Sequence, residues 1–152
     1  MLIPFFAGIF IIAILDQAAK FFAAGLLQSV KTVPLWNEVF HLTYVENKGA
    51  GWGMFSDHTW LLTVATMIVV IAAVSYMVVK KPKDKLFLTA MTFMIGGAIG
   101  NLVDRIRQGF VIDFFDFTLI NFPVFNIADC FITIGAAIFV VYVLFFSDKK
   151  EK

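Results

Sequence analysis

The chain has 152 residues and a formal net charge of +1, and 61% of its residues are hydrophobic while 15% are charged. A soluble domain is closer to half apolar and a quarter charged, so this composition indicates an integral membrane protein. The small net charge leaves no basic stripe that could bind a nucleic acid. The single cysteine, Cys130, excludes a disulfide within the chain and argues against a thiol metal cluster, and we predict no metal and no cofactor.

Four apolar runs are each near the length of about 20 residues that a helix needs to cross a bilayer. They are Leu2–Leu27, Trp60–Val79, Leu86–Val103 and Ile127–Phe146. The first run lacks a basic segment before it and is long for a signal sequence, so we interpret it as a retained span. We therefore predict a single membrane-embedded domain over residues 1–152, an all-α membrane protein with four transmembrane helices.

The distribution of lysine predicts the orientation of these helices. Lysines cluster between the second and third runs and in the tail, as Lys80, Lys81, Lys83, Lys85, Lys149, Lys150 and Lys152. Because cytoplasmic loops carry an excess of lysine and arginine, both clusters and both termini are predicted to be cytoplasmic. Residues 28–59 and 104–126 are then predicted to lie outside. Arg105 and Arg107 in the second of these segments are exceptions to the enrichment of basic residues in cytoplasmic loops.

The two outer segments have patterns typical of β-strands. Residues 38–46 alternate with period two, a turn is predicted over residues 47–51, and residues 110–117 are also β-prone, with Gly109 at their start. We expect a small extracytoplasmic antiparallel β-sheet on the outer leaflet, with Trp36, Trp52 and Trp60 as interfacial anchors. A surface hairpin with no role in binding is the alternative.

Three of the four predicted helices bring polar side chains to the outer third of the membrane. The pairs, each on one helix face, are Asp16 with Lys20, Asn101 with Asp104, and Asn126 with Asp129. Gly96 and Gly100 have GxxxG spacing, which allows close packing near this layer. A transport path needs polar groups at the midplane or on both sides, so this one-sided layer favours a membrane hydrolase over a carrier or proton-coupled transporter.

Carboxylates offer the chemistry for such a hydrolase. The only histidines, His41 and His58, fall in the first outer segment, and no HExxH metalloprotease motif is present. Two carboxylates in one site share a proton, so that one activates water while the other polarises a carbonyl group. We predict that Asp113, in an apolar setting, and Asp129, at the start of the fourth helix, form this pair.

The other carboxylates receive structural interpretations. We predict that Asp104 forms an ion pair with Arg105 and that Asp57 and Asp116 are solvated. For Asp16 with Lys20, two interpretations stay open, an ion pair that packs helices together and a direct contact with a ligand.

The chain resembles lipoprotein signal peptidases (signal peptidase II) over nearly its whole length. The matching pieces are, in order, Leu15-Asp16-Gln17 with Lys20, Asn47 with Gly49-Ala50, Gly100-Asn101 with Asp104-Arg105, Val111 with Asp113-Phe114, and Phe125-Asn126 with Ala128-Asp129. One departure is Gly51, where alanine is usual, and it bears on the shape of the loop that would face the substrate.

This resemblance implies an intramembrane aspartic protease of the bacterial cell membrane, with its active site at the outer leaflet. It would cut the signal peptide from diacylglyceryl-modified prolipoproteins just before the lipidated cysteine, in contact with membrane lipid. The family fold implies an outer sheet that cradles the substrate, a short interfacial helix, and inhibition by globomycin-type cyclic peptides. The resemblance places the catalytic aspartates at Asp113 and Asp129, and supporting or substrate-binding positions at Asp16, Lys20, Asn47, Gly49, Asn101, Asp104, Arg105 and Asn126.

Overall fold

The computed structural model describes residues 2–49, 58–120 and 122–147. Four of its helices are long and apolar enough to cross a membrane, which confirms the four predicted spans: α1 (Leu2–Leu27), α2 (Thr59–Lys80), α3 (Lys85–Gln108) and α4 (Ile127–Phe145). The predictions made for Gly51, Trp52, Asp57 and the lysines of the tail lie outside the described residues, as does the second half of the turn predicted over residues 47–51.

The distribution of side chains is the reverse of that in a soluble protein. Large apolar side chains such as Phe21 and Val79 are 76% and 74% exposed. Among the described residues, four of the six largest fully buried side chains are polar or charged, namely Lys20, Asn126, Asp16 and Asp113. Apolar exposure on this scale is typical of a protein surrounded by lipid. In lipid, the polar groups must find their hydrogen-bond partners inside the protein.

Helix α3 continues from its predicted end at Val103 to Gln108. The prediction stopped at the first charged residue, but Asp104 is only 4% exposed and its charge is met inside the protein, so it does not end the helix. The helix ends at Gly109, whose φ of 80° is left-handed and whose N–H donates to Arg105 O at 3.1 Å. Gly109 is therefore a helix cap and does not begin the next strand.

The predicted sheet is present and has three antiparallel strands in the order β1-β2-β3. These are β1 (Thr32–Trp36), β2 (Phe40–Asn47) and β3 (Val111–Asp116), of which β1 was not predicted. One face of the sheet packs on the end of α1, where Tyr44, Ile112 and Phe114 contact Ala23 and Leu27. This apolar contact attaches the sheet to the helical bundle.

The segment between β3 and α4 folds back onto β3. Phe115 and Phe125 exchange backbone hydrogen bonds of 2.8 and 3.0 Å, and a 3₁₀ turn at Thr118–Ile120 lies between them. The Phe125 ring stacks on Phe117 with a centroid distance of 5.9 Å. Because Asn126 follows Phe125 directly, this pairing brings the start of α4 next to β3.

Helix α3 is the central helix, and glycines set its distance to its neighbours. A Cβ atom on Gly96 would lie 2.9 Å from Ile12 Cβ, so α1 packs closely against the predicted small-residue face. On the other side, a Cβ atom on Gly135 of α4 would lie 2.9 Å from both Ala90 O and Met94 N of α3. Backbone atoms cannot move aside as a flexible side chain does, so Gly135 fixes the spacing of α3 and α4.

We expect Gly135→Ala to destabilise the protein by about 1–3 kcal/mol, the usual cost of overpacking, because the added methyl group pushes α4 away from α3. Thermal unfolding in detergent micelles measures the effect as a lower Tm. Gly25→Ala is the control, since a Cβ atom there meets nothing within 4 Å. An equal change in Tm for the two variants would contradict this role of Gly135.

Candidate active site

Asp113 and Asp129, the two aspartates predicted to act as a pair, are joined through one residue, Asn126. The side-chain amide of Asn126 donates to Asp113 Oδ1, and its backbone N–H donates to Asp129 Oδ2 at 3.1 Å. Asp113 belongs to β3 and Asp129 to α4, and both line one cavity. The fold therefore brings the two predicted carboxylates into a single site.

Asp129 lies in the first turn of α4, within a capping box. Asn126 Oδ1 accepts the Asp129 N–H at 3.0 Å, while Asp129 Oδ2 accepts the Asn126 N–H. The other carboxylate oxygen, Oδ1, accepts from Asn101 Nδ2 at 2.8 Å. Both oxygens of Asp129 thus receive an N–H donor at the positive end of a helix, a setting that suits a negative charge.

Asp113 is 1% exposed, and both of its oxygens also accept amide hydrogen bonds. Asn126 donates to Oδ1, and Asn47 Nδ2 donates to Oδ2 at 2.8 Å. Burial, followed by the nearby Asp129 carboxylate, raises the pKa of Asp113 to about 7, although the two amide hydrogen bonds act to lower it. The burial of Asp113 agrees with the predicted apolar setting, although its two oxygens contact the polar amides of Asn47 and Asn126. Because burial disfavours the charged form, this carboxyl group can hold a proton near neutral pH.

Lys20, on α1, is 2% exposed. Its ammonium group donates to Asp16 Oδ2 at 2.8 Å, to Asp104 Oδ2 at 2.9 Å and to Asn101 Oδ1 at 2.8 Å. An ammonium group has three N–H donors, so all of them have acceptors. The Asp16–Lys20 ion pair lies within α1, and a second ion pair, between Lys20 and Asp104, connects α1 to α3.

Asp104 is an ion-paired, buried carboxylate as predicted, but its partner is Lys20 and not Arg105. Consecutive residues of a helix do not share a face, and Asp104 turns towards α1, where it binds Lys20 and accepts from Gln17 Nε2 at 2.9 Å. Gln17 is a member of this cluster that the sequence analysis did not select as a site residue. Its signal is a polar amide inside an apolar run, directly beside Asp16.

Arg105 instead contacts the loop that follows β2. Its Nη2 donates to Gly49 O at 3.2 Å, and the Gly49 N–H donates to Asn47 Oδ1 at 2.9 Å. This loop contact orients the Asn47 amide so that its Nδ2 meets Asp113. The buried Nε of Arg105 has no hydrogen-bond partner within the described parts of the chain.

Asp116 is half-buried, so its predicted solvation is wrong in part. Its Oδ2 accepts from Thr43 Oγ1 at 2.7 Å because β2 and β3 pair with His41 opposite Asp116, which places Thr43 on the neighbouring strand. Its hydrogen bond thus lies within the sheet, whereas those of Asp113 lead to α4 and to the loop after β2.

A cavity of about 600 Å³ opens beside the two aspartates. Its polar wall contains Asn47, Gly49, Asn101, Arg105, Asp113 and Asp129. Its apolar wall starts at Phe122 and Phe125, ahead of α4, and continues along α4 as far as Ile134, which is 50% exposed. The cavity therefore combines carboxylates at one end with an apolar side that reaches the outer surface of the helical bundle.

Four membrane-spanning helices, and a cavity lined by two buried or part-buried carboxylates that accept hydrogen bonds from Asn126, define a membrane-embedded enzyme as the class of protein. Comparison with known families agrees: residues 8–145 match the model for Signal peptidase (SPase) II. The chain therefore belongs to the signal peptidase II family, and it is a protease.

Individual relatives cover most of the chain. A lipoprotein signal peptidase of Clostridioides difficile (strain 630) is 41% identical over 90% of this chain and 92% of the relative. That of Caldanaerobacter subterraneus subsp. tengcongensis is 44% identical over 84% of this chain and 86% of the relative. A solved structure described as a bacterial membrane enzyme superposes with a TM-score of 0.86 at 30% identity, covering 98% of this chain and 93% of its own.

The raised pKa of Asp113 predicts how stability depends on pH. Between about pH 4 and 7 the folded state holds a proton on Asp113 that the unfolded state has released, so stability should fall by up to about 1.4 kcal/mol per pH unit as pH rises. In Asp113→Asn this contribution is absent, and Tm in detergent should change less from pH 5 to 7.5. Asp116→Asn is the matched control on the same strand. Equal pH slopes for wild type and Asp113→Asn would contradict the prediction.

Proposed function

We propose that the protein is an aspartic endopeptidase that removes the signal peptide from diacylglyceryl-modified prolipoproteins, cutting just before the lipidated cysteine. Family membership and the names of the relatives support the substrate class. The observation that carries the mechanism is the pairing of Asp113 and Asp129 through Asn126 on the wall of one cavity.

In this mechanism the two aspartates share one proton. Asp113, with a pKa of about 7, holds the proton, donates it to the scissile carbonyl oxygen as water adds, and takes it back when the tetrahedral intermediate collapses. Asp129, at the N-terminus of α4, is the carboxylate that accepts a proton from water as the water oxygen forms a bond to the carbonyl carbon. When the tetrahedral intermediate collapses, the C–N bond breaks and the proton from Asp129 passes to the leaving amine.

The remaining site residues fall into two groups. Asn47, Gly49 and Arg105 lie on the cavity wall and are assigned to the substrate backbone. The supporting positions Asp16, Lys20, Asn101, Asp104 and Asn126 are buried and hold the two aspartates.

The membrane position of the site follows from the lysine distribution. With the lysine-rich loop between α2 and α3 in the cytoplasm, both termini are cytoplasmic, and the start of α4 lies at the outer leaflet. A diacylglyceryl cysteine stays in that leaflet because each buried CH₂ contributes about 0.8 kcal/mol. The apolar wall that ends at the exposed Ile134 gives such a substrate, or a globomycin-type cyclic peptide, a sideways entry from lipid.

Asp113→Asn and Asp129→Asn should each reduce the cleavage rate by at least about 10²-fold, since each removes a group that must gain or lose a proton. Cleavage of a fluorogenic lipopeptide by purified protein in micelles measures the effect, and Tm shows that the variants are folded. Asp116→Asn, which changes a carboxylate of the same strand outside the cavity lining, should stay within about threefold of wild type because its hydroxyl contact is replaceable. Turnover near the wild-type rate by either of the first two variants would exclude the proposed pair.

The proposed substrate also predicts a requirement for lipid. A precursor with a diacylglyceryl cysteine should be cleaved with a kcat/KM at least about tenfold higher than the same unmodified precursor, because the acyl chains hold the scissile bond at the height of the site. Mass spectrometry should find the lipidated cysteine as the first residue of the product. Equal kcat/KM values, or cleavage at another bond, would overturn the substrate assignment while leaving the aspartate pair intact.

A further inference from the structure

Lys20 is a buried cation whose contacts go to neither Asp113 nor Asp129. It does not line the cavity, and its three N–H donors are occupied by Asp16, Asp104 and Asn101 at 2.8–2.9 Å. A charged side chain at membrane depth is costly, so a cation that touches no substrate requires another explanation.

The explanation lies in the second contact that each acceptor makes. Asp16 Oδ1 accepts the backbone N–H of Ala128 at 2.9 Å, and Ala128 is the residue before Asp129. Asp104 Oδ2, the same oxygen that binds Lys20, accepts the backbone N–H of Ile112 at 3.3 Å, and Ile112 is the residue before Asp113. Two separate connections thus run from one ammonium group to the backbone beside each aspartate.

The third acceptor reaches Asp129 directly. An amide has one oxygen and one NH₂ group, and Asn101 Oδ1 faces Lys20 Nζ and also accepts from Asn126 Nδ2 at 3.1 Å. The NH₂ group of Asn101 must therefore point the other way, where it donates to Asp129 Oδ1 at 2.8 Å. Lys20 is the cation that holds the oxygen end of this amide, so its loss would weaken the orientation that supports Asp129.

We propose that Lys20 is a positioning residue that fixes Asp113 and Asp129 relative to each other, a role that rests on the proposed function of those two aspartates. Lys20 acts through geometry: its ammonium group brings α1, α3, the start of β3 and the start of α4 to one point. Removing the Lys20 ammonium group leaves the buried Asp16 and Asp104 carboxylates without their cation. Each of these carboxylates accepts a hydrogen bond from the backbone next to a proposed catalytic residue.

Gly100 allows this geometry to be tested with every charge in place. A Cβ atom there would lie 3.0 Å from Asp16 Cγ and closer still to Asp16 Oδ2, so Gly100→Ala displaces the Asp16 carboxylate from Lys20 and Ala128. Gly8→Ala is the matched control in the same pair of helices. Its Cβ atom would lie 2.6 Å from Thr92 Cγ2, a similar overlap with a side-chain end far from the site.

We expect Gly100→Ala to lower kcat by about 10²-fold, the effect of a misplaced catalytic group, with KM changed less than about threefold; Gly8→Ala should keep kcat within about twofold. Both are assayed at a temperature well below each variant's own Tm. A wild-type kcat for Gly100→Ala, or equal losses of kcat in the two variants, would overturn the proposal, since the second result would reflect helix packing alone.

Lys20→Arg separates geometry from charge. The planar guanidinium group keeps the positive charge but cannot converge on three acceptors as an ammonium group does, so kcat should fall by at least about tenfold while KM stays close to wild type. An unchanged kcat for this variant would overturn the positioning role in favour of simple charge neutralisation. If Lys20→Arg does not fold, the Gly100 and Gly8 pair decides the question.

The two proposals fail in different ways. Turnover by Asp113→Asn or Asp129→Asn would remove the aspartate pair itself, whatever the result at Lys20. Inactive aspartate variants combined with a normal kcat for Gly100→Ala would remove only the positioning role.

Discussion

The structure depends on one constraint, which is that a buried charge inside a membrane must be met by a partner within the protein. Lys20 has two carboxylates and one amide oxygen around it, and none of these groups is more than 6% exposed. Leaving any one of them without its partner would cost several kcal/mol, because lipid offers no hydrogen bonds in exchange. The ion pairs therefore decide which faces of α1 and α3 meet.

Packing and polar pairing support each other in this arrangement. Small residues let the helices approach closely: Gly100 leaves room for the Asp16 carboxylate, and Gly97 allows α4 to lie against α3 at Ala128. The apolar side chains that would fill a soluble core point outward instead, as Phe10 and Phe21 do. The interior at this end of the bundle is thus held by charges and amides, while the interior at the opposite end, around Phe5, Ile9 and Met77, is apolar.

Much of this arrangement can be predicted from sequence, because the bilayer imposes a length and a polarity that are visible in one chain. The four spans, strands β2 and β3 and the placement of Asp129 at the start of α4 all follow from local patterns. Strand β1 was missed because it is short, contains Pro34 and is exposed along its whole length, so it has no alternation to detect. Its pairing with β2 comes from the tertiary fold.

The end of the third helix and the partner of Asp104 were also predicted wrongly, because tertiary contacts determine both. Local reasoning ended the third helix at this charge and chose the adjacent Arg105 as its partner, whereas the true partner, Lys20, lies on another helix. No pattern within one segment identifies a contact between segments so far apart. The same holds for the amide orientations of Asn101 and Asn126, which are set by groups on three different elements.

Asn126 gives the site a further property. Its side-chain amide binds Asp113 and its backbone N–H binds Asp129. The distance between the two acids is therefore set by the covalent bonds of a single residue. Bilayers of different thickness tilt transmembrane helices to match their apolar length. Because Asn126 alone sets the spacing between Asp113 and Asp129, helix tilting changes this spacing little. The two acids therefore keep their geometry in membranes of different lipid composition.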